Sequence, residues 1–256
     1  MKIRRQALPL LMGLLATAPA LAQEEGTRPG AGAPFSIGDA YTQEPGQFQF
    51  EGAFGYERGR DGRDLFEPAP TLKYGLTERL ELSLGGAYGL GDSSSANQGG
   101  VSPGMAFRLL DQRAWMPTVA VTGAVDLPFG PGHGSVGTEW GAVASWVTGR
   151  RPGAWGLHLN ATWLARPDPR DAERRHGRLF GGAVSHVLDA ETVLVAAYVE
   201  ESQDRGERSL RLVEAGFERQ IGEETAIAFA AGAGLNDDSP RFRLRAVLKY
   251  GFSLGR

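Results

Sequence analysis

Four basic side chains stand at close, mostly even spacing near the end of the chain: Arg241, Arg243, Arg245 and Lys249. In an extended strand, alternate residues share a face. The spacing therefore builds a cationic ladder along one side of one strand. Charged side chains around a solute path set its selectivity, so an open ladder would favour an anionic or polar ligand. The same alternation turns Lys73 and Arg108 toward that interior, together with Glu51, Glu57, Glu81, Asp126, Glu139, Glu214 and Glu218. A second reading stays open at this point: these opposite charges pair with one another and brace the wall.

Catalysis finds less support. A hydrolase needs Ser, His and an orienting group close together. His133 and His176 fall in stretches rich in Gly, Pro or Arg and read as solvated surface. His158 faces inward beside Asn160 and Thr162 and reads as a polar interior residue that could tune a path. Ser185 and His186 are neighbours on a strand, so they point to opposite faces and cannot form a dyad. The stretch Phe129 to Gly134 is glycine-rich but lacks the Lys-Ser/Thr that would hold a nucleotide, and Asn236-Asp237-Asp238 reads as a polar turn. No catalytic residue, cofactor or metal is expected. With no cysteine, thiolate metal sites and disulfide scaffolds are excluded. A net charge of -3 gives no basic field for nucleic acid.

The elements that must carry these residues are strands. Leu80, Leu82, Leu84 and Tyr88 alternate with Glu81, Ser83, Gly85 and Ala87. Phe242, Leu244, Leu248, Tyr250 and Phe252 alternate with the ladder, and Trp155, Leu157, Leu159 and Trp163 alternate with Gly156, His158, Asn160 and Thr162. Each such run reaches about ten residues, longer than the roughly five or six usual in soluble sheets and close to the ~9–11 of a transmembrane strand. Strands are placed near 47–57, 66–75, 80–90, 101–109, 115–127, 136–147, 155–165, 178–187, 192–200, 209–219, 225–235 and 241–252. The eighth and tenth alternate most weakly. Compact turns that begin at Leu76-Thr77, Leu110-Asp111, Val147-Thr148, Leu188-Asp189 and Ile221-Gly222 separate hairpins on one rim, and longer polar loops lie on the other. The expected fold is all-β, a twelve-stranded antiparallel transmembrane β-barrel of the bacterial outer membrane. The 37 glycines, about twice the usual share, suit a wall that must curve.

The first 22 residues read as an address. Lys2, Arg4 and Arg5 precede a short apolar stretch that ends in Ala20-Leu21-Ala22, the pattern of a cleaved secretory signal peptide. Residues 23–45, rich in Gly, Pro, Ala and Glu, read as a flexible periplasmic lead-in too short to plug a barrel. Residues 46–256 are the barrel. The expected surroundings are outer-membrane lipid and lipopolysaccharide, the barrel-assembly machinery and a small-molecule solute.

Three stretches carry a resemblance: Thr71 to Tyr88, Pro117 to Phe129, and Val247-Leu-Lys-Tyr-Gly-Phe252. They resemble the outer-membrane transporters named for the MetA pathway of phenol degradation, in which a strand ends in Tyr-Gly-Leu-Thr-Asp/Glu-Arg and the next begins Leu-Glu-Leu. The resemblance implies a barrel that passes small, often hydrophobic or aromatic, molecules passively. A closed structural or recognition barrel with functional loops is the alternative, and an outer-membrane hydrolase a more distant one. One departure stands out: Ser253-Leu-Gly-Arg256 follows Phe252, where such barrels often end on the aromatic residue that the insertion machinery reads.

Overall fold

The computed structural model describes residues 30–254, except 94, 95 and 132. The signal peptide, its cleavage point, the first residues of the lead-in and the last two residues of the chain lie outside the described residues.

The strands are β1 (Gln47–Arg58), β2 (Asp64–Gly75), β3 (Leu80–Tyr88), β4 (Leu90–Gly91), β5 (Gly99–Leu110), β6 (Thr118–Phe129), β7 (Gly137–Val147), β8 (Trp155–Ala165), β9 (His176–Val187), β10 (Thr192–Glu201), β11 (Leu210–Gln220), β12 (Thr225–Gly234) and β13 (Phe242–Ser253). β3 and β4 are two pieces of one stave, since both pair with β2. All pairings are antiparallel between chain neighbours, and β1 closes on β13 from Gln47↔Ser253 to Arg58↔Phe242. The result is a closed barrel of twelve staves, with no open edge.

Local sequence explains the rims. Leu76, Leu188 and Ile221 each donate their N–H to a carbonyl four residues on, at 2.8, 2.9 and 2.9 Å, which closes three of the compact turns. The opposite rim carries the longer connections, such as residues 166–175 between β8 and β9. One strand start differs from expectation. Trp115 is not in β6 but protrudes from a tight turn, where Arg113 and Met116 exchange hydrogen bonds of 3.1 and 2.8 Å and Ala114 takes φ 48°. Pro117 has no N–H to donate to a ladder, so pairing begins only at Thr118.

Outside, the wall is apolar. Phe50, Phe54, Leu84, Trp140, Leu159 and Phe180 are all exposed. Aromatic rings gather at both ends of the β1 seam: Phe48 stands 4.5 Å from Tyr74 and 5.3 Å from Phe252, and Tyr56 stands 5.0 Å from Phe66 and 5.7 Å from Phe242. An apolar belt with aromatic borders is what a bilayer demands of a barrel.

Inside, the lead-in departs from expectation. Residues 31–43 do not hang free beneath the barrel but run within it. Phe35, Ile37 and Ala40 are buried. Phe35 and Ile37 join an apolar cluster with Val187, Val195, Val199, Leu212 and Ala230, the inward faces of β9 to β12. The physical reason is burial: without this segment those valines and leucines would line a water-filled lumen. Two glycines make the close approach possible. A Cβ on Gly181 would strike the Cδ1 of Ile37, and one on Gly75 would strike the carbonyl oxygen of Glu44.

Candidate functional site: the lumen and its inner segment

The inner segment is held by side chains of the wall rather than by strand pairing. Near the compact-turn rim, the Gln43 N–H donates to Glu81 Oε2 at 3.0 Å. Higher up, the Ala40 N–H donates to Ser145 Oγ at 2.9 Å. Asn160 receives the Gly38 N–H at 3.0 Å and returns its own amide to the Gly38 carbonyl at 2.8 Å. The Ser36 N–H donates to Glu214 Oε2 at 2.9 Å and the Ser36 hydroxyl to Oε1 at 3.1 Å. All but the bond from the Ser36 hydroxyl satisfy a backbone group of the inner segment, which no strand partner serves.

His158 sits beneath this segment. It is fully buried, with Nδ1 2.9 Å from Ser145 Oγ and Nε2 2.9 Å from Ser185 Oγ. The ring ties β7, β8 and β9 together and, through Ser145, reaches Ala40. It therefore does not line an open path, as sequence analysis expects; the inner segment covers it. Both ring nitrogens are spent on serines. His186 points outward instead and stacks on Trp155 at 4.2 Å, which bears out the separation of Ser185 from His186.

The ladder bears on the two readings left open for its charges. Arg241 lies just before β13, exposed at the long-loop rim, with its N–H on the Arg58 carbonyl at 2.7 Å. Arg243, Arg245 and Lys249 do face inward, and Arg243 and Lys249 are held in ion pairs. Arg243 pairs with Glu57, approaches Glu214 Oε1 at 3.9 Å, and reaches Ser36 Oγ at 3.4 Å. Lys249 pairs with Glu218. Arg245 is in no ion pair among the described residues and stands across Gly55 of β1 from Glu67. Lys73 donates to Glu51 at 2.7 Å. Arg108 is spent at the compact-turn rim on Asp111 at 3.1 Å and on the Glu78 carbonyl. Two of the ladder's three inward cations are thus taken up by carboxylates from neighbouring strands.

The segment and the apolar wall fill one side of the lumen, and space remains on the other. A cavity of about 410 Å³ toward the long-loop rim touches Thr71, Gly85, Ser102, Asp126, Ser135 and Glu173. A second, of about 230 Å³, touches Thr71, Lys73, Glu81, Ser83, Thr122 and Glu139. They share Thr71 and follow one wall, β2 to β7, in which glycine, serine and alanine dominate the inward face. On that wall the Asp126 carboxylate accepts from the Ser102 hydroxyl at 2.7 Å, and Glu139 lies in the field of Asp126.

Over the mouth, two loops are stapled together. Glu173 receives the Ser135 N–H at 2.8 Å on one oxygen and the Arg170 N–H at 2.8 Å on the other, with Arg166 Nε at 3.8 Å. Burial alone would raise this carboxyl. The bonds from Ser135 and Arg170, with Arg166 beside them, hold it below the ordinary glutamate range.

A closed twelve-stave wall, apolar outside and charged within, defines a porin-like β-barrel of the bacterial outer membrane. The chain is similar in fold to the COG4313 outer membrane channel from Pseudomonas putida F1, with a TM-score of 0.61, 14% identity, and 85% of this chain and 100% of that one covered. It is similar to the KdgM porin, with a TM-score of 0.59, 7% identity and 80% and 99% coverage. The NanC porin follows at 0.51, with 10% identity and 79% and 98% coverage. At these identities the likeness is one of fold. No family model and no curated protein matches the chain, so the phenol-degradation resemblance rests on its sequence strings.

Proposed function

We propose that this protein lets small solutes cross the outer membrane passively, through the crescent left between residues 31–43 and the wall of β2 to β7. One observation carries this reading: the two cavities that share Thr71 in their lining, on a wall of small residues. Twelve staves lie between the eight or so that side chains fill and the sixteen or so that leave a wide channel, and a narrow passage beside an inner segment suits that number. The compact-turn rim then faces the periplasm and the long loops face outward, beneath lipopolysaccharide. A cleaved signal peptide near Ala22 delivers the chain there.

The solutes this supports are small and polar. The apolar part of the lumen is occupied by Phe35 and Ile37, so the surface an aromatic solute would use is already covered. No residue is assigned a catalytic role. Swelling of proteoliposomes in neutral polyols and sugars of rising size tests the reading. The smallest solutes should enter quickly and disaccharides slowly. Liposomes that exclude even the smallest polyol would favour a closed barrel whose loops carry the function.

A further inference from the structure

We infer that the crescent prefers cations, so that its solutes are small positively charged molecules. This rests on the passage proposed above and deepens it. The ladder in β13 looks anion-attracting in sequence, but Arg243 and Lys249 are held in ion pairs, and Arg245 stands across the register of β1 from Glu67. Of the two cations at the crescent itself, Lys73 is held by Glu51 at 2.7 Å and Arg166 lies against Glu173 at 3.8 Å. Among the described residues, three carboxyl groups on the crescent wall are in no ion pair: Glu81, Asp126 and Glu139. They stand on β3, β6 and β7 and so are spread over both cavities.

The physics follows from the geometry. A narrow aqueous path between low-dielectric walls focuses the field of its lining, and acidic linings select cations as basic linings select anions. Counted by ion pairs, these three acids outnumber Arg245, the one inward ladder cation outside a pair, so the acids set the sign of the crescent.

The test is the zero-current potential of the purified full-length barrel in a planar bilayer under a potassium chloride gradient. The expected sign is that of potassium preference, severalfold over chloride. The double variant Asp126→Asn, Glu139→Gln touches no bond to the inner segment and should move the ratio toward one while current persists. The single variant Glu139→Gln should move it part of the way, and serves if the double variant does not assemble. Current with chloride preference, or a potassium preference untouched by these variants, would overturn the inference and leave the passage standing. A barrel that carries no current at all would overturn both.

Discussion

Ile37 is fully buried between the inner segment and β9, in a hollow that exists because residue 181 is glycine. Cutting its side chain back should loosen the segment without harming the wall, whose ladder it does not join. Ile37→Ala should weaken docking by about 2–5 kcal/mol, the usual cost of a buried isoleucine cut to alanine. The chain has no cysteine, so a single Gly38→Cys reporter is unambiguous, and a Cβ at that position meets only Asn160 Oδ1 at an ordinary 3.7 Å. Maleimide should label the reporter slowly in the parent and markedly faster beside Ile37→Ala. Equal rates would mean that the segment does not depend on this contact. His158 shows the limit of single-residue reading. The alternation along β8 shows that it faces inward, yet its two partners, Ser145 and Ser185, come from other strands, and its cover comes from a segment more than a hundred residues earlier. Nothing local to His158 carries that information.

The elements are where sequence and structure agree most closely, and where they differ the difference has a cause. Period-two alternation places every stave, and the compact turns mark every second junction. The strands with the weakest alternation are β9 and β11, and the structure explains why. Their inward faces carry Leu179, Ala183 and Val187, and Leu210 and Leu212, because residues 31–43 lie against them instead of water. The loss of contrast between faces is itself the trace of the docked segment. The segment was not legible as such, because Gly, Pro and Ala suit a free tail equally well and its anchors are side chains of distant strands. The loops allow a pH prediction. Glu173 is held below the ordinary range while folded, so its staple is present above the unfolded value and is lost as pH falls through the folded one. Hydrogen exchange in residues 166–175, corrected for the intrinsic effect of pH on exchange, should quicken on acidification below the usual glutamate range. In Glu173→Gln it should already be quick at neutral pH. Protection in the variant equal to that of the parent would remove the staple from this account.

At the scale of the whole molecule, the barrel divides its interior in two. The side formed by β9 to β12 holds the apolar cluster and carries the inner segment, and the side formed by β2 to β7 is polar and lined by small residues. The inward direction of Arg243, Arg245 and Lys249 was legible from period two alone. The partners of Arg243 and Lys249 were not, because they depend on which strands become neighbours on closure: β1 brings Glu57, and β11, one strand beyond β12, supplies Glu214 and Glu218. The central claim is that a passage runs beside a segment that fills the rest of the lumen. Single-channel current from the intact barrel and from one lacking residues 31–43 tests it most directly. The account predicts small discrete steps from the intact protein and clearly larger steps from the shortened one. Steps of equal size, or silence from both, would contradict it.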